Sequence, residues 1–223
     1  MALLAQQVSE AGWPVFRFDR SGVGDSTGID GGFRSAGPDI VAAAAAFRET
    51  CSEMTHMIGL GLCDGASALA FHGTAAEVDG LILLNPWVVE SQGDTPPPAA
   101  IRAHYRDRLL TLAGWQKLLT RGFNPKALIR GIGAAIKTPD QDLARDVMTA
   151  LASLDRPVHI LLAERDDTAR AFIDQYKGPA GATLRHAKHV QVFTRDTASH
   201  SFAGAEDHAW LVAQVLKILD SRS

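Results

Sequence analysis

The feature that most constrains this chain is the alternation of short, almost wholly apolar runs with longer runs of helical spacing. Met57–Leu62, Val78–Leu84 and Pro157–Ala163 are each six or seven residues long and too apolar to show water a face. Strands of that kind belong to a parallel sheet covered on both sides. Pro14–Asp19 and Val190–Thr194 are read as two further strands. Between the strands lie helical patterns at Asp39–Thr50, from Ala66 to His72, at Thr168–Tyr176 and at Glu206–Leu219. An opening helix carries Leu3, Leu4 and Val8 on one face and stops at Gly12. Strands that alternate with helices in this way predict an α/β fold with a mostly parallel sheet.

The stretch 87–152 breaks the rhythm. It passes through Thr95-Pro96-Pro97-Pro98, then shows helical patterns around 100–112, 114–120 and 125–136, with no credible strand. The expected organisation is therefore a core of 1–86 and 153–223 with a helical cap insertion at 87–152. Loops at the carboxyl ends of parallel strands are where such folds keep their sites, so the cap should overlie the site.

Composition narrows the function classes. A formal charge of −3, with basic residues between Arg102 and Lys137 interleaved with Leu, Ile and Trp, gives no clustered surface for nucleic acid. The amino end has no basic stretch and no long apolar core, and no run approaches the ~20 apolar residues of a membrane span. Cys51 and Cys63 are expected to be reduced thiols in a cytoplasmic protein. No metal site is expected, because His186 and His189 have no evident third ligand. Gly22-Val23-Gly24 lacks the further glycine of a dinucleotide loop, so no cofactor is expected either.

Gly61-Leu62-Cys63-Asp64-Gly65 falls where a strand meets a helix. A nucleophile on so sharp a turn needs small flanking residues, and Gly61 and Gly65 supply them. A helix's positive amino end and a neighbouring imidazole favour the thiolate, the attacking species. The backbone N–H of Asp64 is the matching oxyanion donor. For the base, His200 lies in the loop between the last strand and last helix; His208 is inside that helix, and His56 and His72 look structural or solvated. For the acid, Glu164-Arg165-Asp166-Asp167 follows a strand. Asp166 is preferred, with Asp167 and Glu164 as alternatives, and Asp166 also fits as a cap on the next helix.

These residues carry a family resemblance. Phe18-Asp19-Arg20-Ser21-Gly22-Val23-Gly24-Asp25-Ser26 resembles the loop after the fourth strand of α/β-hydrolases. With Gly59–Ser67, Leu83-Leu84-Asn85-Pro86-Trp87 and Phe123-Asn124-Pro125, the chain is similar to exosortase A system-associated hydrolases, which are bacterial. The resemblance implies an α/β-hydrolase fold and an esterase or thioesterase acting on a small acyl substrate, linked to exopolysaccharide and protein-sorting systems. Trp87, Tyr105, Trp115 and Phe123 are candidates for an apolar acyl pocket, or equally for the core of the cap.

The amino end departs from that family. Leu3–Ala11 would be the helix after the third strand, so strands one to three would precede residue 1. The third normally lies between Val15–Asp19 and Met57–Leu62, and ends in the loop that donates the second oxyanion N–H. Two explanations stand: an upstream segment belongs to the complete protein, or the two flanking strands pair directly into a five-stranded sheet. Losing one oxyanion donor costs about 10²–10³ in rate. The functional alternative is accordingly a non-catalytic accessory or binding module on a hydrolase scaffold.

Overall fold

The structure is a computed structural model that describes residues 1–89 and 141–221. Four parallel strands, β1 (Ile58–Leu62), β2 (Gly80–Leu84), β3 (Val158–Ala163) and β4 (Val190–Arg195), lie in that order across one sheet. The register sets Leu62 beside Leu84 and Leu84 beside Leu161. Every residue of β2 and β3 is buried, whereas β1 and β4 are largely half-exposed. Two of the apolar runs of the sequence, Val78–Leu84 and Pro157–Ala163, thus supply the two central strands.

Seven helices frame the sheet among the described residues: α1 (Ala2–Glu10), α2 (Gly37–Thr50), α3 (Asp64–His72), α4 (Gln141–Ala152), α5 (Asp167–Lys177), α6 (Ala182–His186) and α7 (Ala205–Asp220). Successive strand residues point to opposite faces, which makes two cores. Leu81, Leu83, Ile160 and Leu162 pack with Ile40 of α2, Leu69 of α3, Leu143 and Val147 of α4, and Phe172 of α5. Ile82, Leu84, Leu161 and Ala163 pack with Leu4 and Val8 of α1 and with Leu211, Val215 and Ile218 of α7. Helix α4 is the described carboxyl end of the expected cap segment. Tyr105, Trp115 and Phe123 lie outside the described residues.

One expected strand does not form. Pro14–Asp19 has no regular structure, and Val15, Phe16 and Phe18 are 40%, 41% and 47% exposed. The direct pairing that would have made a five-stranded sheet is absent, and no described strand pairs with the outer edge of β1. The reason is physical: alternating apolar residues make a strand only when a neighbour supplies the ladder of N–H and C=O partners. This segment is held by other means. Trp13 N–H donates to Val8 O at 3.2 Å, the Phe16 ring stacks on Phe47 at 5.5 Å, and Arg20 pairs with Asp64. Cys51 and Cys63 are both free thiols.

The exposure of Pro14–Asp19 has a measurable consequence. Phe18→Ser should change the unfolding free energy by no more than about 0.5 kcal/mol, as surface substitutions do. Leu83→Ala, in the buried centre of β2, should cost about 2–5 kcal/mol. Urea denaturation of both variants distinguishes them; a Phe18→Ser loss of about 3 kcal/mol or more would return that residue to a core strand.

Candidate active site

The turn after β1 is strained and firmly held. Cys63 has φ 59° and ψ −121°, a conformation that costs a non-glycine residue roughly 1–3 kcal/mol. Its N–H donates to Leu84 O at 2.9 Å, and its carbonyl accepts from Ala66, Ser67 and Trp87 N–H at 3.1, 3.2 and 3.2 Å. Those bonds fix the side chain at the mouth of the sheet, where α3 begins at Asp64. The first N–H groups of a helix have no intrahelical partner, so the Asp64 N–H points from a positive helix end.

The two elbow glycines prove unequal. A Cβ at Gly61 would lie 2.6 Å from the Gly65 carbonyl carbon and oxygen and 2.7 Å from Ala66 N, all of them backbone atoms that cannot step aside. A Cβ at Gly65 would meet nothing within 4 Å among the described residues. The need for a small residue is thus steric at Gly61, whereas among the described residues nothing crowds Gly65.

His200 lies between β4 and α7, and Asp166 between β3 and α5, so both occupy loops at the carboxyl ends of strands. His200 Nδ1 donates to Asp166 Oδ2 at 3.0 Å. The same oxygen accepts from Ala169 N–H at 3.0 Å, so Asp166 caps α5 and holds the histidine at once. The Asp166 side chain is 11% exposed, whereas that of Asp167 is 59% exposed and faces Arg170. Glu164 is exposed. The sequence alternatives for the histidine's partner thus resolve geometrically to Asp166.

The charges are set by these contacts. Burial works to raise the Asp166 carboxyl, but the His200 hydrogen bond and the Ala169 and Thr168 amides together hold it below the usual carboxylate range. His200 is pushed up from 6.5 to about 10, first by the Asp166 hydrogen bond and next by its hydrogen bond to Cys63, against the opposing effect of burial. Because Nδ1 is taken by Asp166, Nε2 is the ring atom left to face the thiol.

Several supporting residues were not singled out from sequence. Arg20 Nη1 donates to Asp64 Oδ2 at 2.6 Å and its Nε to Asp30 at 3.3 Å, tethering the elbow to the glycine-rich loop. Asp207 accepts from Thr197 Oγ1 at 2.5 Å and Arg195 Nε at 3.0 Å, and Ser199 N–H donates to Thr197 Oγ1 at 3.1 Å, which braces the His200 loop. Asn85, fully buried, reaches the same loop. Arg20 and Asn85 stand in the quoted loop motifs, but nothing in their spacing showed which residues they touch; Asp30, Arg195, Thr197 and Asp207 carried no such signal. Among the described residues, no group of three or more His, Cys, Asp and Glu side chains is gathered as metal ligands would be. No described helix is long and apolar enough to cross a membrane.

A cavity of about 560 Å³ opens at the elbow, lined in part by Cys63, Asp64, Phe33, Arg34, Trp87 and Leu143. Of the four aromatic candidates for substrate contact, Trp87 is thus placed at the cavity. The other three belong to the undescribed segment.

Comparison with family models gives no match, and neither does comparison with curated protein sequences. Solved structures do match. A Pyrococcus furiosus esterase superposes with a TM-score of 0.60 at 14% identity, covering 95% of this chain and 72% of that one. A monoacylglycerol lipase from Paleococcus ferrophilus gives 0.56 at 19% identity, covering 99% and 88%. The mouse alpha/beta hydrolase domain-containing protein 10 gives 0.53 at 15% identity, covering 100% and 84%. At these identities the likeness is one of architecture: the chain has the α/β-hydrolase fold.

Two outcomes follow from the geometry. Gly61→Ala should cost about 1–3 kcal/mol by overpacking, whereas Gly65→Ala, inside α3, should be neutral or gain up to about 1 kcal/mol; chemical denaturation reads both. For His200, the folded pKa of about 10 lies above the ordinary 6.5. Its contribution to stability is therefore fully present below pH 6.5 and lost as pH rises through 10. The gap in melting temperature between wild type and His200→Gln should be widest near pH 6 and close above pH 10; a gap that grows with pH would contradict the pairing.

Proposed function

We propose that this chain hydrolyses an ester or thioester through a Cys63–His200–Asp166 triad and a covalent acyl-enzyme. The observation that carries the reading is the convergence of three loops: the strained thiol at the end of β1, the histidine after β4 and the carboxylate after β3, with Nδ1 3.0 Å from Asp166. In the first step Cys63 reacts as the thiolate, its proton held on His200 Nε2, and attacks the substrate carbonyl carbon. The tetrahedral oxyanion takes a hydrogen bond from Asp64 N–H. Collapse breaks the bond to the leaving alkoxide or thiolate, which receives the proton from His200. Water then gives a proton back to His200 as it attacks the acyl carbon, and the carboxylic acid departs as Cys63 is restored. Asp166 keeps the imidazole in one tautomer and orientation throughout and stabilises the imidazolium.

A thiolate is both a good nucleophile and a good leaving group, which favours activated acyl groups such as thioesters over amides. Phe33, Trp87 and Leu143 beside Cys63 suit an apolar acyl chain, and Tyr105, Trp115 and Phe123 stand as further candidates from the sequence for contact with the acyl group. The resemblance to exosortase-associated hydrolases supports a role beside bacterial exopolysaccharide export, in the cytoplasm. The second oxyanion donor is proposed to come from a segment beside the edge of β1 that no described strand pairs with. A parallel strand there would end level with Cys63, where a further N–H is needed.

Turnover of p-nitrophenyl esters and acyl thioesters of increasing chain length tests the reading. Cys63→Ala should lower kcat by at least about 10³-fold, and a slowly hydrolysed ester should leave an acyl mass on Cys63. Unchanged turnover in Cys63→Ala would sink the proposal, and stoichiometric acyl-ligand binding without turnover would favour the accessory-module reading instead.

A further inference from the structure

We infer that Asn85 is a positioning residue that fixes the Cys63, His200 and Asp166 loops relative to one another. The inference rests on the proposed triad and adds to it the part that holds its three members in register.

Asn85 follows β2, the strand between the one that leads to Cys63 and the one that leads to Asp166. It is 0% exposed, and its φ is 44°, in the left-handed region. Its amide reaches two ways. Nδ2 donates to His200 O at 2.7 Å, and Oδ1 accepts from Ala163 N–H at 2.8 Å. Ala163 O in turn accepts from Asp166 N–H at 2.9 Å, so the acid's loop hangs from the residue that Asn85 grips. The backbone completes the set: Asn85 N–H donates to Leu161 O at 3.1 Å, and Leu84 O, one residue back, accepts from Cys63 N–H at 2.9 Å.

The direction of the amide follows from its partners. A backbone N–H can only donate and a carbonyl can only accept, so the oxygen must face Ala163 and the nitrogen must face His200. No other residue type meets all the demands. Glycine accepts the positive φ but leaves a buried N–H and a carbonyl without their partner. Aspartate matches the shape and tolerates the left-handed backbone, yet sets an oxygen against the His200 carbonyl. Leucine fills the volume, makes neither bond and resists the φ. A hydrogen-bonded buried amide does not by itself prove a link to chemistry; many are held simply to satisfy a core. What separates this one is that both of its bonds end on the segments bearing the proposed acid and base.

The experiment compares Asn85→Ala and the isosteric Asn85→Asp with wild type. Val215→Ala in α7 serves as a variant that loses buried apolar volume while keeping every hydrogen bond that joins these loops. Four quantities are read at a temperature where all are folded by circular dichroism: kcat, KM, the rate of Cys63 alkylation by iodoacetamide, and the His200 ring titration by NMR. Both Asn85 variants should lose about 10–10²-fold in kcat, the scale of an ångström-sized misplacement, with KM moved much less. Alkylation should slow, and the His200 midpoint should fall from near 10 toward 6.5. Val215→Ala should leave all four unchanged. The defect of Asn85→Asp, as a ratio to wild type, should shrink as pH falls, because a protonated carboxyl can donate to His200 O. Asn85 variants that lose stability yet keep kcat, alkylation rate and His200 titration would overturn the inference and leave Asn85 a purely structural residue. If wild type turns over no acyl substrate, the triad reading fails on its own. The NMR titration and alkylation arms then still decide whether Asn85 positions His200 against Cys63.

Discussion

The site depends on one hydrogen bond that extends the β1–β2 ladder past the end of β1. Cys63 N–H donates to Leu84 O at 2.9 Å, although Cys63 has already left strand geometry for a positive φ. A residue held that way stays only if its surroundings over-determine it. Here the three donors on its carbonyl and the missing Cβ at Gly61 do so. Had the turn relaxed, the thiol would swing away from His200 and α3 would start elsewhere. The strain at Cys63 and the burial of β2 are therefore one feature. The fully buried central strand supplies the rigid carbonyl against which the elbow is bent.

Charge is distributed about this elbow in pairs. Burial alone would raise the Asp166 carboxyl, and it stays low because His200 and two amides answer its charge. Further out, Asp207 is held down first by the Thr197 hydroxyl and then by the Arg195 guanidinium, so the base's loop is pinned by a second carboxylate with no route to the thiol. Arg20 pairs with Asp64 at 2.6 Å, and that hydrogen bond raises the guanidinium further. Each carboxylate in the set has a different partner. Among the described residues, His200 is the group that stands between a carboxylate and the thiol.

Much of this could be read in the sequence, and the exceptions are instructive. Met57–Leu62, Val78–Leu84 and Pro157–Ala163 became strands within a residue or two of their expected bounds, because almost wholly apolar runs have few other places to go. Pro14–Asp19 carries the same kind of signal and is not a strand. Alternation reports which residues seek burial and is silent on whether a neighbouring strand is there to pair. Gly65 looked like the equal of Gly61, yet a pattern of symbols cannot show that one faces backbone and the other meets nothing within 4 Å among the described residues. Asn85 is the plainest case. A single amide after an apolar strand resembles the start of any loop, and its partners lie 78 and 115 positions away.

Asp166 shows why sequence left its role open between helix cap and partner of the base. A cap needs a carboxylate oxygen aimed at the first turn of α5, and a partner for His200 needs an oxygen aimed out of the sheet. These sound like rival orientations. In the structure a single atom, Oδ2, accepts from both Ala169 N–H and His200 Nδ1, each at 3.0 Å. The cap fixes the side-chain rotamer, and that rotamer presents the oxygen to the histidine. Asp167 cannot do the same, since as the first residue of α5 it projects to solvent and is 59% exposed. The amino end of a helix thus selects which carboxylate faces His200. The cap that competed with the catalytic reading is the device that orients it.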